Sequence, residues 1–187
     1  MYISGVGYPA SLVGSLVAFP GGTIGVAGSA AVVTAVEATS GAIGYVDYDI
    51  VQASLPKPTV ASIINSSGFA IAPTLNSIEA ALVGISIPTD LRILSLNTPN
   101  ATGYPIANPT FIIVHANQPN NLQALDIKQF LYFIVTQGQT IAPTVNIGAL
   151  PPAIRSQYRL NLLQIQSIVT PNATSCSSNL CPTVLTV

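Results

Sequence analysis

The stretch Phe19-Pro20-Gly21-Gly22-Thr23-Ile24-Gly25-Val26-Ala27-Gly28-Ser29 runs on through Val32, Val33 and Val36 to Thr39-Ser40-Gly41-Ala42-Ile43-Gly44-Tyr45-Val46-Asp47-Tyr48. It carries the clearest local order in the chain. The apolar residues 16–19 are stopped by Pro20-Gly21-Gly22, which reads as a strand entering a turn. Gly28-Ser29 is placed to cap a helix over 30–38, where the valines and alanines offer an apolar face. Gly41 ends that helix. Residues 42–46 follow as a buried strand, and 48–53 as a short helix before Pro56.

Working outward, the alternation continues. Residues 60–64 read as a strand. Residues 74–85 read as a helix capped by Thr74 or Asn76, with Leu75, Ile78, Ala81, Leu82 and Ile85 at helical spacing. Residues 110–115 are a strongly β-branched strand. Residues 122–137 form a helix with Leu122, Leu125, Phe130, Phe133 and Ile134 along one side and Gly138 closing it. Pro151-Pro152 begins a last helix over 153–166, because proline at the first turn removes an N–H that would be unbonded anyway. Strands alternating with helices predict an α/β layered domain over 16–167, preceded by an N-terminal segment, 1–15. A Ser/Thr/Pro-rich tail, 168–187, follows. Its end, Val184-Leu185-Thr186-Val187, is either a strand donated to another subunit's sheet edge or a frayed terminus.

The composition narrows the function classes. Of 187 residues, 5 are Lys or Arg and 6 are Asp or Glu, so 6% are charged, against about 25% in an average soluble domain. The net charge is −1 and the mean hydropathy is +0.58. Five scattered cations cannot neutralise a row of phosphates, so nucleic acid is excluded as a partner. No apolar run reaches the roughly 20 residues that a membrane span needs. An uncharged surface is a solubility problem. It is relieved by glycans, by burial in an assembly, or by work in acid.

Three N-glycan sequons support the first: Asn65-Ser66-Ser67, Asn100-Ala101-Thr102 and Asn172-Ala173-Thr174. Cys176 and Cys181, with four residues between them, cannot build a four-ligand zinc site with the distant His115. They read as a structural disulfide formed in an oxidising compartment. An extracellular, cell-surface or periplasmic location follows. Met1-Tyr2-Ile3-Ser4 shows neither a positive n-region nor an apolar h-region. The chain is therefore either a mature or truncated form, or secretion is not its route.

Catalytic chemistry is not evident, and no cofactor is implied. His115 ends a strand, with no Ser and Asp fixed beside it to make a triad. Asp47 and Asp49 offer either a carboxylate pair or, more plainly, charges at a helix start. Gly21, Gly22, Gly25 and Gly28 lack the Lys-Ser/Thr of a phosphate-cradling loop and read as turn glycines. Tyr45 and Tyr48 read as core or rim aromatics. The chain is expected not to be an enzyme.

With the elements in order, the opening stretch resembles the phosphate-binding proteins of bacterial and archaeal ABC transporters, which are type II periplasmic binding proteins. In that family a Trp-Pro-x-Gly-x-Gly-x-x-Gly-Asn stretch leads through a helix to Pro-Gly-Ala-Ile-Gly-Tyr-Val-Glu-Tyr. Further blocks match in order: Phe69-Ala70-Ile71-Ala72-Pro73-Thr74, then Tyr104-Pro105-Ile106 through Val114, then Phe130-Leu131-Tyr132-Phe133, Gly138-Gln139 and Gly148-Ala149-Leu150-Pro151. The resemblance covers 16–166 and implies one lobe plus closing helices of such a receptor. Inorganic phosphate is the implied ligand if an upstream lobe exists, and an ABC permease the implied partner.

The family's anion ligands lie upstream of the matched block. They are backbone amides, hydroxyls, an Asp, an Arg and a Ser-Gly-Thr turn. The nearest counterpart here is Ser4-Gly5-Val6-Gly7, without the Arg or Thr, so Ser4 and Gly5 are weak phosphate-binding candidates. Arg92, Arg155 and Arg159 read as solvated surface charges. The alternative expectation is a structural subunit of an extracellular filament, pilus or surface layer, self-assembling through the tail.

Overall fold

The computed structural model describes Phe19 and residues 21–167. Ser4, Gly5, Asn172, Cys176, Cys181, residues 16–18 of the first expected strand and the whole 168–187 tail lie outside the described residues. The chain divides between Pro58 and Thr59 into two units.

In the first unit, Ser29–Ala38 forms α1 and Tyr48–Ala53 forms α2, in the places the valine periodicity and Gly28 indicate. Gly28 adopts φ +82, a left-handed conformation that glycine enters without a Cβ clash. Val33 and Val51 are the buried residues of the two helices. Residues 42–46, expected as a buried strand, join no ladder, and Ile43 and Tyr45 are 97% and 84% exposed. Gly44 lies against α1: a Cβ there would stand 2.8 Å from Val32 Cγ1 and 2.9 Å from Val36 Cγ2. The segment thus lies against α1 where a side chain is missing, and among the described residues no strand pairs with it.

The second unit is built around a hydrogen-bonded clasp and a small apolar core. Strands β1 (Ile63–Ile64) and β2 (Ala70–Ile71) pair antiparallel, with Ile63 opposite Ile71. Helix α3 spans Leu75–Ala80, and its cap is Thr74. Thr74 Oγ1 accepts from the Ser77 amide at 3.1 Å, while the Thr74 amide donates to Ser77 Oγ at 2.9 Å, a reciprocal capping box. The helix stops five residues before the expected 85, relaxing into tighter turns before Gly84 at φ +75. After an irregular run, β3 (Asn117–Gln118) leads into α4 (Asn121–Val135), capped by Asn120, whose Oδ1 accepts from the Gln123 amide at 2.8 Å. Helix α5 (Gly138–Ile141) and a 3-10 turn, Ala142–Val145, precede α6 (Pro152–Asn161). A second 3-10 turn, Leu162–Gln164, leads to β4 (Gln166–Ser167), which pairs parallel with β3, Asn117 opposite Gln166. The fold class is α/β, with very short strands.

Three expectations need correction here. Residues 110–115 form no strand, and Ile113 is 93% exposed. The side of α4 that turns inward carries Ala124 and Val135, whereas Leu122 and Phe130 are 74% and 60% exposed. Helix α4 is apolar on both sides, so spacing alone does not select the buried one. Gly138 begins α5 rather than closing α4, and a Cβ there would stand 3.2 Å from Phe133 O.

Leu82, Ile93 and Ile154 make the buried core, with Ile85, Ile87, Leu150 and Tyr158 packed on it. Beside it, polar side chains are sealed in. Asn65, Ser77, Ser95 and Gln118 are all buried. Asn65 Nδ2 donates to the carbonyls of Asn100 (3.3 Å), Ala101 (3.0 Å) and Gly103 (3.3 Å). Its Oδ1 accepts from the amides of Ser67 and Phe69, both at 3.1 Å. Ser66 and Ser67 hydroxyls donate to the carbonyls of Thr98 and Pro99. The Tyr104 amide donates to Ser77 O at 2.8 Å, and Thr98 Oγ1 donates to Ala81 O at 3.0 Å. The turn of the hairpin, the first half of α3 and loop 97–105 are thereby locked together. Gly103 is required in that lock, since a Cβ there would stand 3.0 Å from Ala81 Cα.

Candidate functional site

Solute recognition needs a concavity with a few placed polar groups. Each unit has a groove. In the first unit, a groove of about 370 Å³ runs between α1 and α2, lined by Ala30, Val33, Thr34, Glu37, Ile50 and Leu55. Its polar lining is Thr34, Glu37 and Ser54, and the Thr34 and Ser54 hydroxyls already donate to Ala30 O and Ile50 O, so the groove carries no cation to attract an anion.

The groove of the second unit, about 430 Å³, lies between α3 and the start of α6. Asn76 and Glu79 come from α3, Arg155 from the first turns of α6, and Ala149, Leu150 and Pro151 from the strap that joins α6 to the preceding turn. The strap is fixed at successive residues. The Ala149 amide donates to Glu79 Oε1 at 2.8 Å, and the Leu150 amide donates to Gln139 Oε1 at 2.7 Å. Gln139 Nε2 in turn donates to Ile134 O at 2.9 Å, tying the strap to α4. Gly148 permits the approach, because a Cβ there would stand 2.9 Å from Ile78 Cγ2.

Arg155 differs from its expected place as a solvated charge. It is half-buried, and its Nε is the buried side-chain polar atom among the described residues that has no hydrogen-bond partner. Glu79 lines the same groove, yet among the described residues the ion pair formed is between Arg92 and Asp90, 2.7 Å. The groove therefore presents a positive and a negative group that do not neutralise each other, with a guanidinium donor in want of an acceptor.

The other expected residues do not converge. Arg92 is surface-exposed and held by Asp90; the Arg92 amide, and then its side chain, donate to the Asp90 carboxylate and lower its pKa. Arg159 stacks over the Tyr132 ring, 5.3 Å from its centre, joining α6 to α4. His115 is exposed next to β3. Asp47 stands at the N-cap of α2 and Asp49 in its first turn, where they meet the helix dipole. No group of three or more His, Cys, Asp or Glu suited to a metal is found among the described residues. Around Gly21, Gly22, Gly25 and Gly28 the space where a Cβ would stand is open, so these glycines do not mark a tight cradle.

The two described sequons part company. Asn65, expected as a glycan acceptor, spends its amide nitrogen on three carbonyls inside the clasp, so the folded chain does not present it. Asn100 sits half-buried on the loop that Asn65 grips. Glu79 was not singled out by sequence reasoning, while Asn76 was read there only as a possible helix cap and Gln139 only within the Gly138-Gln139 block. The available signal was rarity: with 6 acidic residues in 187, a Glu inside the helical pattern of 74–85 is conspicuous.

Residues 15–137 match the family model of a PBP superfamily domain. The match runs from the first glycine-rich stretch through α1, α2, the clasp and α4, and ends before α5 and the strap. Its extent, together with the α/β architecture and the grooved second unit, shows that the chain belongs to the PBP superfamily and carries a solute-binding-protein-like domain.

Proposed function

We propose that this chain is the solute-binding component of a phosphate uptake system, working outside the cytoplasm and handing its ligand to an ABC permease. The observation that carries the reading is the ordered set of phosphate-receptor-like blocks, from Phe19-Pro20-Gly21-Gly22 to Gly148-Ala149-Leu150-Pro151, most of which lies inside the PBP superfamily domain. Arg155 adds support, since its buried Nε lacks the acceptor that an oxyanion supplies. Glu79 on the same groove weakens an anion's hold there. Calorimetric titration of inorganic phosphate into the full chain is the test. Saturable heat that shrinks in Arg155→Gln is expected, and an absence of heat at millimolar phosphate overturns the phosphate reading.

One observation favours a second reading, a subunit of an extracellular assembly. The backbone of residues 110–114 makes no hydrogen bond among the described residues, while Phe111, Ile112 and Ile113 are exposed. Such a segment is a template for a further strand. Sedimentation of the chain at rising concentration separates the readings, and a monomer throughout removes the assembly.

A further inference from the structure

We propose that the fold sorts its two described sequons, making Asn100 an N-glycan acceptor site and withholding Asn65. The inference is independent of the phosphate reading. In glycan transfer the asparagine Nδ2 attacks the anomeric carbon of an oligosaccharide carried on a lipid diphosphate. The new C–N bond forms, the sugar–phosphate C–O bond breaks, the diphosphate leaves with the electron pair, and one amide proton passes to a base of the transferase. The acceptor must therefore have an Nδ2 that is both uncommitted and reachable, with the sequon hydroxyl beside it.

Asn65 fails on both counts. Its Nδ2 lies inside the clasp and donates to three carbonyls, and the residue is 5% exposed. The hydroxyl of its sequon, on Ser67, is turned to Pro99 O at 3.2 Å. Asn100 meets both. Its Oδ1 accepts from the Thr102 amide at 3.0 Å and from Thr102 Oγ1 at 2.9 Å, so the hydroxyl already faces the acceptor amide. Its Nδ2 donates to no described group and is not sealed in, and the residue is half-buried rather than buried. Ala101 and Thr102 beside it are exposed. What Asn100 gives to the clasp is its backbone carbonyl, which accepts from Asn65 Nδ2 and from the Gly103 amide at 3.0 Å. A sugar on its side chain leaves those bonds in place.

The test incubates the purified full chain with an N-oligosaccharyltransferase and a lipid-diphosphate oligosaccharide, followed by glycopeptide mass spectrometry. A peptide of residues 98–104 shows that the enzyme is active in the same mixture. Sugar on Asn100 with Asn65 bare is expected. The modification should vanish in Asn100→Gln and in Thr102→Ala and persist in Thr102→Ser, all three unfolding at the parent temperature. A folded chain left bare at Asn100 while the peptide is modified, or one carrying sugar at Asn65, overturns the proposal.

Discussion

The clasp around Asn65 and the segment 110–114 lie in the same unit and invert the usual roles of polar and apolar residues. The clasp buries an amide and a serine hydroxyl with nearly every donor and acceptor satisfied. The segment, Phe111-Ile112-Ile113-Val114, is among the most apolar of the chain and stands exposed without a backbone partner among the described residues. The difference teaches how a domain with 6% charged residues can fold. Its uncharged polar side chains do not merely coat the surface; several sit inside and fix the loops, where a satisfied hydrogen bond gives specificity that aliphatic packing lacks. Aliphatic residues left over then face outward, and that is the surface a partner or a further strand would cover.

The comparison breaks most directly at Asn65. Asn65→Ala leaves the Ala101 and Gly103 carbonyls and the Ser67 and Phe69 amides without the bonds that hold the clasp, and about 3 kcal/mol of stability should be lost, read as a large drop in melting temperature. A change below about 1 kcal/mol would mean that the clasp is decoration. Next comes the apolar counterpart. Ile154 is 1% exposed, and Ile154→Ala should cost about 3 kcal/mol in urea unfolding, through lost burial and the cavity left behind.

A smaller effect is expected from alkali. Burial raises the pKa of Tyr104, beside the clasp, and of Tyr158, whose hydroxyl donates to Leu91 O at 3.3 Å. Each therefore holds its proton longer folded than unfolded. Their contribution is complete below the ordinary tyrosine value near 10 and falls away as pH rises through the raised folded value. Melting temperatures measured from pH 8 to 11 should decline at the upper end, and Tyr158→Phe should flatten the decline. The smallest change belongs to the open segment. Ile113→Ser should move monomer stability by no more than about 0.5 kcal/mol, while reducing any self-association seen by sedimentation.

Much of the helical framework was legible in the sequence. Valine spacing with Gly28 placed α1, Thr74 was one of two caps offered for α3 and is the one used, and Pro151-Pro152 marked the start of α6. Strands were not legible to the same degree. Residues 42–46 and 110–115 have the β-branched and aromatic content of strands, but that content records fitness for a pleated, covered surface, and no strand among the described residues supplies one. The buried side of α4 was ambiguous because both sides are apolar. At the candidate site, Arg155 looked like one surface charge among several, since its half-buried place on the groove with Glu79 and the strap depends on residues distant in sequence. Asn65 read as a sequon because three residues define that pattern, whereas its structural role depends on carbonyls some 35 positions away.

Buried polar bonding holds this unit while its apolar segment stays open, and amide hydrogen exchange of the full chain, kept dilute enough to be monomeric, tests this directly. The amides of Asn65, Gly68, Gly103 and Tyr104, each bonded to a backbone carbonyl, should exchange slowly. Those of residues 111–114 should exchange at nearly the unprotected rate. Strong protection of 111–114 in the monomer, or rapid exchange throughout the clasp, would show that the unit is held in another way.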